Sequence, residues 1–218
     1  MNCIVTAGPT FEPLDDVRRL TNFSTGRLGT ELADFLARRG HRVTLLLGEQ
    51  ATHHGDCRAQ TIKRFSTTAD LRAKFQALAG RRLDAVFHAA AVSDFTFGKM
   101  FQRDASGKLW PFTPSKKIAT RGGALLVELA PTPKIIAELR GWFPQTRLVG
   151  WKFEADGGRA DAVRAARKQI SDCATDACVA NGPAYGRGFG LVTADGGRRH
   201  FAGAKELFAA LEKMTKDE

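Results

Sequence analysis

The stretch Asn2-Cys3-Ile4-Val5-Thr6-Ala7-Gly8-Pro9-Thr10 opens the chain with a short apolar run that ends in small residues and a turn. Such a run suits a buried parallel strand, which is covered on both faces. Downstream, Asn22-Phe23-Ser24-Thr25-Gly26-Arg27-Leu28-Gly29 stands directly before an amphipathic segment. In it Leu28, Leu32, Phe35 and Leu36 share one helical face, and Gly40 supplies the stop. A strand end and a later helix start together make a floor whose backbone N–H groups can face a phosphate. The common dinucleotide fingerprint, Gly-x-Gly-x-x-Gly at the first turn, does not occur here.

Outward from these segments the pattern alternates. Strands are expected at residues 2–6, 41–47, 61–65, 84–89, 147–152 and 177–180, and helices at 24–40, 68–79, 132–142, 158–173 and 204–213. A hairpin is expected around Asp195-Gly196-Gly197. Strands separated by helices imply an α/β fold with a Rossmann-like, doubly wound, mostly parallel sheet. Residues 94–124 break the rhythm: they are rich in Gly, Pro, Ser, Lys and Phe and too long for an ordinary βα connection. Regularity returns at 125–129. The expectation is a single domain over 1–218 with a long aromatic-rich loop or arm at about 95–124.

Composition bounds the function. At 218 residues with 43% hydrophobic content the chain can bury one generous core. No apolar run reaches the roughly 18 residues of a membrane span, and with a strand read at the start no signal peptide is expected. Cys3, Cys57, Cys173 and Cys178 show no Cys-x-x-Cys pairing, so no metal site is expected and a reducing cytoplasm fits. The net charge of +10 suggests polyanionic partners. The basic residues form scattered doublets such as Arg18-Arg19, Arg81-Arg82 and Arg198-Arg199, without interleaved aromatics. That pattern reads as solvated surface or as preference for phosphorylated small molecules, and no nucleic-acid track is expected.

Further segments carry a resemblance. They are Glu12-Pro13, Val17-Arg18, Ala89-Ala90-Ala91-Val92-Ser93-Asp94, Lys117-Ile118 with Gly122-Gly123, Val149-Gly150-Trp151-Lys152-Phe153-Glu154, Ala166-Arg167-Lys168 and Val179-Ala180-Asn181. In this order, with the two opening segments, they resemble the phosphopantothenoylcysteine synthetase family through most of the chain. Lys117-Ile118-Ala119-Thr120 stands where the fused bacterial type carries Lys-Ile-Lys-Lys, and a second bacterial lysine is missing near Cys173. The version looks closer to the stand-alone, eukaryotic type, which makes ATP plausible beside CTP. There is no flavin-dependent decarboxylase segment, so no flavin is expected.

The resemblance implies a two-step ligation. The carboxylate of 4'-phosphopantothenate attacks the α-phosphate of a Mg²⁺-bound nucleoside triphosphate, giving an acyl-nucleotidylate, and the amine of L-cysteine then displaces the nucleoside monophosphate. It implies that Asn22 bridges the carbonyl and phosphoryl oxygens of the intermediate and that Lys117 places a charge on the α-phosphate. Gly8, Ser24, Gly26 and Arg27 would form the triphosphate floor, and Ala90, Ala91 and Asp94 would leave room at the sheet edge and orient a ribose, an amide or a Mg²⁺-bound water. Trp151 takes the place of a phenylalanine that packs on the base. Lys168 matches a nucleotide-site lysine, although an ungapped bacterial alignment puts Gln169 there, and Asn181 would bond base or ribose. The family also implies a homodimer in which the arm reaches the partner. Competing readings are a short-chain oxidoreductase and a synthetase-fold binding or regulatory protein without activity. Against the oxidoreductase, Tyr185 lies outside any Tyr-x-x-x-Lys pair.

Overall fold

A computed structural model of the chain describes residues 1–113, 116–119 and 122–215. Six parallel strands form the centre of the sheet: β1 (Asn2–Ala7), β4 (Arg42–Gly48), β5 (Thr61–Phe65), β6 (Ala85–His88), β10 (Arg147–Phe153) and β11 (Ala177–Asn181). Two antiparallel strands, β12 (Phe189–Thr193) and β13 (Arg198–Phe201), extend it, giving the order β13-β12-β11-β10-β6-β1-β4-β5. The chain winds from β1 through β4 to β5, then returns to the other side of β1 with β6. The order reverses between β1 and β6, and open α/β sheets bind ligands beyond the strand ends at such a point.

Alternation along the strands sorts the core into two faces. Cys3, Val5, Val43, Leu45, Phe87, Val149 and Val179 point to one face, covered by α1 (Arg27–Arg38) and α5 (Ala204–Met214). Ile4, Leu46, Val86 and Leu148 point to the other, where α2 (Thr68–Gln76) and α3 (Ile135–Trp142) pack. The face is continued by α4 (Arg159–Cys173) over Cys178 and Ala180. Burial pushes the thiols of Cys3 and Cys178 up to about 12, so both sit in the core as small hydrophobes.

Two insertions depart from the expected rhythm. Between β1 and α1 the chain forms a ribbon of β2 (Phe11–Pro13) and β3 (Arg19–Thr21), so Ser24–Gly26 lead into the helix instead of belonging to it. The arm is more ordered than the expected loop. It is an antiparallel sheet of β7 (Phe95–Arg103), β8 (Leu109–Phe112) and β9 (Ala124–Pro131), in the order β8-β7-β9. Its strands alternate weakly because neither face is deeply buried, which hides them from a periodicity argument. Among the described residues no helix is long and apolar enough to cross a membrane.

Candidate active site

A cleft of about 850 Å³ opens beyond the β1/β6 strand ends. Its floor is built by backbone. Ala90 N–H donates to Thr6 Oγ1 at 2.9 Å, Ala91 N–H to the Gly8 carbonyl at 3.0 Å, and Thr10 N–H to the Ala91 carbonyl at 3.1 Å. These bonds stitch the turn after β6 onto the turn after β1. The methyl side chains of Ala89, Ala90 and Ala91 occupy little space on the cleft wall. Thr6 Oγ1 also meets Nδ1 of buried His88 at 2.9 Å, and burial pushes that imidazole down to about 4, so it is neutral at pH 7.

Asn22 hangs from the end of β3 into this cleft. Its Nδ2 donates to the Ala91 carbonyl at 3.2 Å. A carbonyl can only accept, which fixes the amide's orientation and leaves Oδ1 and a second N–H for a ligand. Next to it, the N-cap of α1 is Gly26, which has no side chain to cap with; Arg27 N–H makes a long 3.3 Å bond to Thr25 Oγ1, and no acidic residue stands in the first turn. By contrast, α2 has both a Thr67 cap and Asp70. The open positive end of α1, flanked by Ser24, Thr25 and Arg27, is suited to an anion.

Glycine makes the approach possible. Gly26 sits at φ 79°, and a Cβ there would lie 2.9 Å from Cβ of Ala51 and 3.2 Å from Cα of Gly8. Gly8 therefore lies beneath Gly26, off the cleft wall, and the turn after β4 that carries Ala51 closes the floor from below. His53 N–H donates to the Thr25 carbonyl at 3.0 Å, tying that same loop to the helix entrance.

Arg27, on the wall, pairs with Glu31 at 2.7 Å. Its side chain is largely exposed, and such surface pairs are weak enough to yield to a phosphate. Asp94 and Glu31 are the carboxylates among the described lining residues, and among the described residues no three His, Cys, Asp or Glu side chains cluster to hold a metal. That donor set fits a Mg²⁺ ion carried on phosphates with several waters better than an ion held by protein alone.

Trp151 and Asn181 close the far wall with Lys152, Phe153 and Phe189. Trp151 packs on the core through one side, and its Nε1 is buried without a hydrogen-bond partner among the described residues. Lys168 is not in the cleft. The buried stripe of α4 runs through Ala162, Ala166, Ile170 and Cys173, and two residues beyond Ala166 the helix has turned to solvent. There Lys168 pairs with Asp172 at 2.8 Å. Gln169 instead faces the sheet, abutting Gly150 and accepting from Cys178 Sγ at 3.4 Å. Lys117 does not line the cleft either; its neighbours Lys116 and Ile118 dock on the turn between β2 and β3. Thr120 lies outside the described residues. Phe23, Leu28, Glu31, Phe153 and Phe189 are wall residues that sequence reasoning did not assign to the site: Phe23, Leu28 and Phe153 lie inside quoted motifs but offer no polar chemistry, and Glu31 and Phe189 lie outside them.

Comparisons place this architecture among known proteins. The fold matches a Streptococcus pneumoniae structure named as a DNA/pantothenate metabolism flavoprotein, with TM-score 0.82, 24% identity, and coverage of 99% of this chain and 98% of that one. A Cab2 variant in complex with phosphopantothenate-cysteine gives TM-score 0.71 at 19% identity, covering 98% and 86%. In sequence, the chain is 34% identical over 181 residues to the coenzyme A biosynthesis bifunctional protein CoaBC of Thermococcus kodakarensis, covering 82% of this chain and 40% of the relative. The Bacillus subtilis CoaBC is 32% identical over 191 residues, covering 87% and 42%. The chain thus spans less than half the length of these relatives. The family described as DNA/pantothenate metabolism flavoprotein C-terminal domain matches residues 1–218, and the chain belongs to that family.

Proposed function

We propose that the chain is a ligase of coenzyme A biosynthesis that joins 4'-phosphopantothenate to L-cysteine through an acyl-nucleotidylate. The observation that carries this reading is the pairing of an acid-free helix start at Gly26 with an oriented Asn22 amide at the switch point of the sheet. The first step forms a bond from the substrate carboxylate to the α-phosphorus and breaks the bond to the β-phosphate, releasing pyrophosphate. The second forms the amide bond to cysteine nitrogen, which loses a proton, and expels the nucleoside monophosphate. No electrons are transferred, so no flavin enters.

The α1 N–H groups, Ser24 and Arg27 would hold the phosphates, and Asn22 would span the two oxygens of the mixed anhydride. Lys117 would meet the charge that grows on the α-phosphate. Asp94 would orient ribose or a water on Mg²⁺, and Mg²⁺ when bound offsets phosphate charge. Trp151 would stack on the base and Asn181 would bond base or ribose. The nucleotide is ATP or a broad set. Trp151 offers a large stacking face, and Thr120 and Cys173 stand where the bacterial type has lysines. The protein acts as a homodimer in the cytoplasm, with the arm against the neighbouring subunit. Exposed Trp110, Phe95 and Leu129 support that cover, as do four free cysteines the reducing compartment.

Pyrophosphate release is the test, with phosphopantothenate, cysteine, Mg²⁺ and each nucleoside triphosphate in turn. Release that requires all components is expected; nucleotide binding without turnover would favour the regulatory reading. A CTP preference above about a hundredfold, near 3 kcal/mol, would sink the nucleotide assignment.

A further inference from the structure

The segment that carries Lys117 is gripped from both sides by the turn between β2 and β3. Asp16 N–H donates to the Lys116 carbonyl at 3.0 Å, and Ile118 N–H donates to Asp15 Oδ2 at 3.1 Å. Arg18 Nη2 donates to the Ile118 carbonyl at 3.0 Å, and its Nη1 lies 3.4 Å from Asp15 Oδ2. The Ile118 peptide is thus bonded through both its N–H and its C=O, and the Ile118 side chain is buried. The other carboxylate oxygen, Asp15 Oδ1, accepts from Val17 N–H at 3.0 Å and Arg18 N–H at 2.7 Å, which shapes the turn itself. The Asp15 side chain is wholly covered. Burial pushes its carboxyl up, but the Ile118, Val17 and Arg18 N–H groups and the Arg18 charge outweigh this and hold it below the usual range.

The same turn leads directly to Asn22. From Arg18 the chain runs along β3 and reaches Asn22 in four steps, roughly 13 Å of extended strand. That strand is fixed in turn: Thr21 Oγ1 donates to the Thr10 carbonyl at 2.9 Å, and Thr10 N–H donates to the Ala91 carbonyl that also receives Asn22. One hydrogen-bonded ribbon therefore holds the Lys117 segment at one end and Asn22 at the other.

We propose that Asp15 is a positioning residue, which with Arg18 clamps the Ile118 peptide and so sets the place of Lys117 relative to Asn22. The inference rests on the role of Lys117 given above. The clamp lies within one chain, so it needs no partner subunit to order the segment.

Asp15→Asn tests it selectively. The remaining oxygen can still shape the turn, while an NH₂ group replaces the oxygen that accepts from Ile118. Single-turnover pyrophosphate release is expected to slow roughly 10- to 100-fold, with nucleotide KM changed less than about twofold, because misplacing a reacting group by about 1 Å has that effect on rate. On a Lys117→Ala background the same change should cost nothing further. Additive losses, or an unaltered rate for Asp15→Asn alone, overturn the clamp. If Lys117→Ala alone leaves the rate intact, the fault lies instead with the role given to Lys117. Should Asp15→Asn fail to fold, hydrogen exchange in the wild-type protein decides. Ile118 N–H should exchange at least about tenfold slower than free peptide, and exchange at the free-peptide rate overturns the proposal.

Discussion

The cleft floor and the arm are built on opposite terms. In the floor, the turns after β1 and β6 are short, small-residue and joined by hydrogen bonds of 2.9–3.2 Å that each involve a backbone group, over strands that are buried on both faces. In the arm, three antiparallel strands leave Phe95 45%, Leu129 49% and Trp110 50% exposed. Its order is local: Asp104 at the β7–β8 turn accepts from Ser106, Lys108 and the Trp110 indole, and Lys108 lies 4.0 Å above the Trp110 ring. The Ser106 hydroxyl foremost, and then the Trp110 indole N–H, hold the Asp104 carboxyl down to about 2. The floor joins its turns by hydrogen bonds and leaves the Asn22 Oδ1 and second N–H turned to the cleft. The arm satisfies its turn but not its apolar side chains. Precision resides in the first region and unspent apolar surface in the second.

The sharpest way to break this contrast is at Asn22. Asn22→Asp would set a carboxylate oxygen against the Ala91 carbonyl and against the anhydride oxygens, with repulsion on both sides. Turnover should fall by a hundredfold or more, on the order of 3 kcal/mol, with bound nucleotidylate accumulating. Chromatography of quenched reactions checks this, and a wild-type rate of amide formation would falsify the role.

A second test titrates the floor from beneath. His88 is neutral in the native protein, with its pKa pushed from 6.5 to about 4 by burial. Above pH 6.5 neither native nor unfolded chain carries that proton, so nothing is lost. As pH falls from 6.5 towards 4 the unfolded chain takes it up and the native chain does not. Stability should decline by up to roughly 3 kcal/mol over that window, relative to His88→Leu. Urea melts of both proteins at pH 7 and pH 4.5 give the difference, and parallel pH dependences would refute the buried neutral histidine.

Gly29 probes the helix seat on the floor. A Cβ there would lie 2.6 Å from the Thr6 carbonyl oxygen and 2.7 Å from Ala7 Cβ, so Gly29→Ala must lift α1 from β1. The expected cost is about 1–3 kcal/mol in denaturation, with weakened nucleotide binding by calorimetry. An unchanged midpoint would mean that the seat is slack.

The smallest effect on the fold is expected in the arm. Trp110→Ala should leave core stability within about 0.5 kcal/mol, since the ring is half exposed and belongs to the arm's three-stranded sheet and not to the eight-stranded one, yet it should lower self-association in sedimentation and make activity fall on dilution. A monomer with full activity would remove the arm from the mechanism.

The local signals were legible in residues 2–10 and 22–29. A small-residue strand end, a glycine at the helix entrance and an apolar helical stripe are encoded within a few positions of one another, and β1, α1, β4, α4 and β11 lie close to where periodicity set them. The arm's strands were not, because alternation shows only where one face is buried and the other is not. Motif matching named Gly8, Asn22, Ser24, Gly26, Arg27, Ala90, Ala91, Asp94, Lys117, Trp151, Lys168 and Asn181, and all of these line the cleft except Gly8, Lys117 and Lys168. It did not separate Lys168 from Gln169, since which one meets the sheet depends on the rotation of α4 against its packed stripe.

By itself, then, the sequence determined the order of the strands and helices of the main sheet and the chemistry at the first turn and first helix, because propensity, turn geometry and helical periodicity act over a handful of residues. Only the tertiary structure decided the contacts that orient that chemistry. Ala91 holds Asn22 from 69 residues away, His88 meets Thr6 from 82, and Ile118 docks on Asp15 from 103. Those pairings follow from strand order and register in a sheet whose neighbours are far apart in the chain, and a local pattern contains no record of them.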